Sequence, residues 1–490
     1  MSEPLLRLEV GPVAAEGCCV ARHEGRVVFV RHALPGEVVL ARLDEASRGP
    51  EAAGRRFWRA EAVEVLEPSP DRVQPSCAVA GAGGCGGCDW QHASMAAQRR
   101  GKAEVVREQF RRLAGMELPE LVVEAPGRAG PGGVGCGVDG GGDGGGDGDG
   151  DGGGDDGLGW RTRVRFAVDA EGRPGLRAAR SHRVIPVTSC PIAHPAVLAT
   201  GVLDRRWPGV ETIDVATGSQ GPAITVPEPA PVRHRGPAPR TWVRHRVLMP
   251  GPQPRVERSF RVSRGGFWQV HPQAGQLLVD AVADAVRPLP GERAVDLYAG
   301  AGLFTAALAL GVGATGVVIA VEGDDRACAD ARRNLHDLPQ VRLEQVHIDP
   351  RPGQARGRGQ ARARGAGRSG RRAPGPAGGP RSGGPDAAGL LAVLGSRADV
   401  VVLDPPRAGA GPVVIDRLIG LRPRVIAYLA CDPASLARDV AHAARRGFRL
   451  DTLRVFDLFP MTHHVECLAT LRPSDESPGR PGVDLGTAGS

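Results

Sequence analysis

No window of this chain approaches the roughly 20 consecutive apolar residues a membrane span needs. The first residues, MSEPLLRLEV, also lack the basic start and long apolar run of an export signal. A soluble, cytoplasmic, monomeric protein without membrane contact is expected. The ten cysteines (18, 19, 77, 85, 88, 136, 190, 328, 431 and 467) do not repeat like the disulfide framework of a small secreted domain. Those that cluster are expected to bind a metal or do chemistry. What is abundant is length: 490 residues exceed one ordinary hydrophobic core, so two or three domains are expected.

The formal charge of +7 points to a polyanionic partner. Two inserts distort the sum, with seven Asp at 139–156 and nine Arg at 351–381, yet together they supply only two of the seven charges. The remaining excess of five, spread over the chain, is compatible with RNA binding.

Residues 5–67 hold short β-rich runs (LLRLEV, CCVAR, RVVFV, EVVLARL, RAEAVEVL) parted by Gly, Pro and charged turns. That texture predicts a small barrel of about five strands of the oligonucleotide-binding type over 1–67. Residues 68–265 read as a central α+β domain with a Cys-rich loop, a helix near 93–114 and strands in TRVRFAV and RSFRV. The Gly/Asp insert 131–157 cannot bury a core and is expected to be disordered. From 266 to 473, strands RAVDL, VVIAVE, ADVVVLD and RVIAYLA alternate with helices 273–286, 303–310, 325–335 and 433–445, which predicts an open, mainly parallel α/β sheet. FRLDTLRVFDL and VECLATLRP follow without a helix and read as an antiparallel pair at the sheet edge. The Arg/Gly/Pro insert 350–387 and the tail 474–490 are expected to be disordered, the insert being placed to act as a counter-ion to RNA.

AVDLYAGAGLFTAALAL (294–310) is a strand, a glycine turn and a helix, with Gly300 and Gly302 at the bend. Such a turn lets backbone pass close to a ligand and aims free N–H groups at it. Thr305 replaces the third glycine of a dinucleotide fingerprint, which disfavours a nicotinamide cofactor. Asp296, Glu322 and Asp404 fall at strand ends of one sheet, where open α/β sheets bind ligands, and Glu322 is placed for a ribose diol. With the glycine turn, these acids point to S-adenosyl-L-methionine.

Cys431 closes VIAYLACDP (425–433); read alone, a cysteine there is more often a small core residue than a nucleophile. Its meaning changes in company. GGFWQVHP (265–272), LDPPRAG (403–409), YLACDP (428–433) and FPMTHHVE (459–466) occur in this order, and with them the chain resembles the RNA uracil-C5 methyltransferase family. The fourth residue of DPPR, Arg407, is not the aromatic of amino-group methyltransferases. The resemblance implies a class I (Rossmann-like) S-adenosylmethionine-dependent methyltransferase domain behind a TRAM-type barrel. It implies that Gln269, Tyr298, Glu322 and Asp404 contact the cofactor, that Cys431 is the nucleophile and that Glu466 is the proton acceptor. Leu303 stands where many members have Asn, so one polar cofactor contact is expected to be missing. His463 and His464, if on a strand, point to opposite faces and cannot jointly ligate a metal.

CAVAGAGGCGGCDWQH (77–92) offers Cys77, Cys85 and Cys88, and CPIAHP supplies Cys190. Three thiolates on a tight loop and a distant fourth suit an iron–sulfur cluster or zinc, between which spacing cannot choose. Family members that modify ribosomal RNA often carry a [4Fe–4S] cluster on this pattern, which implies iron. Seven residues part Cys77 from Cys85 where the family has five. The expected activity is S-adenosylmethionine-dependent formation of 5-methyluridine in rRNA or tRNA. A noncatalytic RNA-binding or ribosome-assembly factor with a vestigial methyltransferase sheet is the alternative, against which both Cys431 and Glu466 argue.

Overall fold

The computed structural model describes residues 5–48, 54–127, 156–229, 241–251, 255–348 and 393–474. The inserts expected at 131–157 and 350–387, apart from residues 156 and 157, lie outside the described residues. So do Cys136 and the tail beyond residue 474.

The β-rich start closes on itself. Strands β1 (Leu6–Val13), β2 (Cys19–His23), β3 (Arg26–Arg31), β4 (Val38–Leu43) and β5 (Phe57–Glu67) form a barrel in the order β1-β2-β3-β5-β4, with β1 pairing back onto β4. Period-two patterning explains the closure: Leu8, Val10, Val28, Val30, Val39 and Ala41 all point into one small core. The β2–β3 hairpin turns at Glu24 and Gly25, both at positive φ (49° and 76°), as a two-residue hairpin loop requires.

Helix α1 (Met95–Gln109) follows, capped by Ser94 Oγ accepting from the Ala97 amide, and widens into a π-turn at Phe110–Ala114. A central sheet of β7 (Arg163–Val168), β8 (Pro174–Arg177), β9 (Val184–Pro186), β10 (Thr212–Ala216) and β11 (Ile224–Glu228) runs in the order β11-β10-β7-β8-β9, beside a hairpin of β12 (Trp242–Leu248) and β13 (Glu257–Ser263).

The large sheet contains β14 (Arg293–Leu297), β15 (Val317–Glu322), β16 (Val341–Gln345), β17 (Val400–Leu403), β18 (Val425–Ala430), β19 (Phe448–Phe456) and β20 (Glu466–Pro473), plus β6 (Val123–Glu124) from far upstream. Its order is β16-β15-β14-β17-β18-β20-β19-β6, parallel from β16 through β18 and antiparallel at β20. Alternate residues of VIAYLA enter opposite layers: Val425, Ala427 and Leu429 join the core containing α3 (Ala274–Val286) and α4 (Leu303–Val312). Ile426, Tyr428 and Ala430 join the core containing α1, α6 (Gly411–Gly420) and α7 (Pro433–Arg445). A strand buried on both faces reads as a continuous apolar run, which this one does.

Two expectations needed correction. The β19–β20 pair is antiparallel as expected, but the edge beyond it is β6, which adds parallel to β19 through Val455↔Val123. Two residues some 330 positions upstream carry no local edge signal. Strand β16 and helix α6 were not anticipated, since VRLEQ is mostly polar and GPVVIDRLIG opens on Gly-Pro, a turn signal that here starts a helix with Pro in its first turn.

Candidate active site

The sheet reverses direction of strand order between β15-β14 and β17-β18, and a crevice opens at the carboxyl ends there. β14 leads into Tyr298 (φ 62°), Gly300 (φ 56°) and Gly302 (φ 91°). A Cβ at Gly302 would sit 2.7 Å from Leu335 Cδ1, so this position needs glycine for both space and φ. Beneath the turn, buried Asp296 accepts a 2.5 Å hydrogen bond from Thr305 Oγ1, which gives the residue replacing the third fingerprint glycine a definite task. The other Asp296 oxygen has no hydrogen-bond partner among the described residues. Burial pushes this carboxyl up to about 7, Asp404 and Glu322 adding to the shift while Thr305 opposes it. Glu322 ends β15 and fastens two loops, accepting from Gly300 N at 2.8 Å, Gly323 N at 2.7 Å and Asp324 N at 2.8 Å.

Asp404 follows β17, and burial pushes its carboxyl to about 7. Cys431 follows β18 and is fixed from both sides. Behind it is the strand; ahead, Asp432 caps α7 by accepting from Ser435 N at 2.7 Å, with Pro433 in the first turn. Because β20 runs antiparallel, its first residue, Glu466, arrives at the same edge, one position before Cys467, which pairs with Ala430. Glu466 is 2% exposed with one carboxyl oxygen lacking a partner among the described residues, and burial, then Asp404, hold it well above the usual carboxylate range. The Cys431 thiol is half-buried and pushed up to about 11 by burial, with Glu466 and Asp404 adding and Arg407 opposing.

These groups share a cavity of about 590 Å³. Gln269, Tyr298, Glu322, Asp404, Cys431 and Glu466 all line it, so every cofactor and catalytic candidate from the motifs converges. Phe267, Trp268, Arg407, Phe459 and His464 line it too and were missed as site residues, although each lies within a quoted motif. Phe267 is 62% exposed at the cavity, whereas Trp268 is buried and stacked on His245 at 4.6 Å. Leu303 does not line the cavity and lies in the core, so the side chain at that position faces away from the site. His463 and His464 are not on a strand but in the turn before β20, with ring centroids 4.1 Å apart; His463 Nδ1 lies 2.6 Å from Asp89 Oδ2 and His464 lies against Arg407.

A larger groove of about 720 Å³ runs between barrel and α1, lined by Phe29, Phe57 and Arg59 on one side and Arg107, Arg111 and Glu108 on the other. It contains none of the strand-end acids. Cys77, Cys85, Cys88 and Cys190 line a third cavity of about 20 Å³ together with Gln91 and Arg161. Burial raises the thiols of Cys85, Cys88 and Cys190, with neighbouring cysteines adding to the shift. Among the described residues no three His, Cys, Asp or Glu side chains are set around one point as a single metal ion needs.

Residues 394–473 match the tRNA (Uracil-5-)-methyltransferase family and residues 6–50 the TRAM domain. An uncharacterized RNA methyltransferase of Streptomyces avermitilis is 42% identical over 95% of this chain and 98% of its own. The chain belongs to the RNA uracil-C5 methyltransferase family. This methyltransferase is also 28% identical, over 92% of each chain, to a Shewanella 23S rRNA (uracil(1939)-C(5))-methyltransferase. Its fold matches the crystal structure of Pyrococcus abyssi tRNA (uracil-54, C5)-methyltransferase in complex with S-adenosyl-L-homocysteine, with a TM-score of 0.58 at 18% identity over 95% of this chain and all of the other. The protein is therefore an S-adenosylmethionine-dependent RNA methyltransferase with an N-terminal TRAM barrel. Among the described residues no helix is long and apolar enough to cross a membrane.

Proposed function

We propose that this methyltransferase forms 5-methyluridine in ribosomal or transfer RNA through a covalent adduct on Cys431. The observation carrying this reading is one cavity holding a half-buried thiol and a buried carboxyl, Cys431 and Glu466, one oxygen of the carboxyl having no partner among the described residues. Uracil C5 is too weak a nucleophile to take a methyl group directly. Attack of the Cys431 thiolate on C6 forms an S–C6 bond and makes C5 the nucleophilic carbon of an enolate. Bound S-adenosylmethionine supplies the methyl group on a sulfonium. C5 takes that methyl, Glu466 takes the C5 proton, and the S–C6 bond breaks to restore the aromatic ring and the thiolate. The target uridine must be flipped or already in a loop, because both ring faces are used.

Gln269, Tyr298, Glu322 and Asp404 are assigned to the cofactor side. A cation held beside Asp404 and Glu466, which both line the cavity, favours their ionised forms, which equips Glu466 to accept a proton. RNA is assigned to the barrel, where Arg26 stacks on Trp58 at 4.4 Å and Arg59 on exposed Phe57 at 5.1 Å, to the central domain and to the Arg-rich insert. Cys77, Cys85, Cys88 and Cys190 are assigned to a [4Fe–4S] cluster. An all-thiol donor set suits it, and its core spaces ligand sulfurs more widely than one ion does. Their cavity has room for about one water, less than the cluster needs. Anaerobic reconstitution with iron and sulfide should give a brown protein and Cys88→Ser a colourless one; colourless wild type defeats this assignment. A cytoplasmic enzyme fits these partners.

Incubation with RNA containing 5-fluorouridine tests the mechanism, since fluorine at C5 cannot leave as a proton. A stable protein–RNA adduct is expected. No adduct, or one surviving in Cys431→Ala, sinks the mechanism in favour of a noncatalytic RNA-binding role or another methyl acceptor.

A further inference from the structure

The turn that delivers His464 and Glu466 to the cavity is held from outside by the Cys-rich loop. Asp89, directly after Cys88, is buried at 8% exposure and sits between Arg31 and His463. Its Oδ1 accepts from Arg31 Nη2 of the barrel at 2.8 Å, and its Oδ2 lies 2.6 Å from His463 Nδ1. The contacts continue inward. The His463 ring lies 4.1 Å from that of His464, and Arg407 Nη2 lies 3.2 Å from His464 Nε2. Arg407 and His464 line the cavity with Cys431. Backbone reinforces the link, as Trp90 N donates to Met461 O at 3.0 Å.

We propose that the Arg31–Asp89–His463 chain positions His464 and Arg407 in the cavity, so that the barrel and the Cys-rich loop set the geometry of the reacting centre. Asp89 and His463 touch no substrate in this scheme; they are positioning residues. The inference rests on the cavity being the site of the methyl transfer proposed above. An imidazole with no oriented partner rotates, and the guanidinium leaning on it loses its seat. A displacement near 1 Å at a reacting centre costs about 10²-fold in rate. Loss of one hydrogen bond two residues away should cost less, about 10-fold in kcat.

Asp89→Ala, His463→Ala and the double variant test this in the full-length holoenzyme, with His463→Ala leaving the Cys-rich loop unaltered. Each single variant should lower kcat about 10-fold at saturating RNA and cofactor while KM for S-adenosylmethionine stays within about 2-fold. The double variant should be no slower than the singles, because both remove one unit. His463→Asn, whose amide nitrogen takes the place of Nδ1 and can still donate to Asp89, should recover most of the rate. Unchanged kcat in both singles, or multiplying effects in the double, overturns the proposal. Histidine-ring NMR gives a reading independent of turnover: the His464 resonances should move in Asp89→Ala, and their constancy also overturns it. If wild type traps no 5-fluorouridine adduct but the resonances move, the assigned mechanism fails while the positioning chain stands.

Discussion

Lys102 is the only lysine in a chain whose Lys and Arg total 62. Its side chain and that of Asp457 are both fully buried, with Nζ 2.5 Å from Asp457 Oδ1 and 3.1 Å from Phe459 O. Burial lowers the lysine's affinity for its proton, and Asp457 opposes that. A buried pair gains little over an apolar replacement of both members, but loss of one member strands a charge at a cost of about 3–5 kcal/mol. In Lys102→Met, Asp457 keeps Arg99 Nε at 3.3 Å, so the lower end applies, about 3 kcal/mol. With a urea slope of about 3 kcal/mol/M, the unfolding midpoint should fall by about 1 M. Lys102→Met/Asp457→Leu removes both charges and should recover most of that loss, since Arg99 can turn to solvent. Phe459 O also loses the donor that ties it to α1, keeping only Thr462 N and Oγ1 from its own turn, so the turn carrying Phe459, His464 and Glu466 should slacken and kcat fall in the single variant. A single variant within about 0.5 kcal/mol of wild type, or a double variant as unstable as the single, refutes the reasoning.

Three further outcomes follow from the site's electrostatics. With its thiol pushed to about 11, Cys431 in the cofactor-free protein should be alkylated slowly at neutral pH, the rate rising about 10-fold per unit from pH 7 to 9; peptide mass spectrometry reads it, and a plateau by pH 8 contradicts the assigned environment. Asp296 and Asp404 are raised from 3.8 to about 7, so their contribution to stability is fully present below pH 3.8 and is lost as pH rises through 7. Melting of the empty protein should therefore weaken between about pH 4 and 7. Cationic S-adenosylmethionine should offset more of that loss than neutral S-adenosylhomocysteine, and equal protection by both excludes ionisation of these acids on binding. Glu466→Gln should still let Cys431 attack and the methyl transfer proceed, but leave the C5 proton in place. Ordinary uridine RNA should then accumulate as a covalent complex on denaturing gels, with turnover down about 10²–10⁴-fold; free turnover at the wild-type rate removes Glu466 from its role.

The site residues legible in the sequence are those that a single sheet edge assembles. A strand that ends in Glu322, Asp404 or Cys431 announces by its apolar run where its last side chain goes, and parallel neighbours send those ends to one side. Glu466 was named only by the family resemblance of FPMTHHVE, and the antiparallel return of β20 explains why it reaches the same edge. The barrel was legible for the same reason, its alternation being local. What stayed hidden is what joins distant segments by polar contact. Asp89 and His463 are 374 positions apart and Lys102 and Asp457 are 355 apart, and neither acid differs locally from any helix cap or turn residue. Apolar periodicity reports which face a residue turns inward, but a buried charge reveals its partner only after the chain has closed around both. The turn at 457–466 is where this matters: its motif exposes Glu466 to a reader of the sequence, while the groups that grip the turn itself, Lys102 on α1 at Asp457 and Asp89 beside the cysteines at His463, lie in segments whose motifs speak of other things.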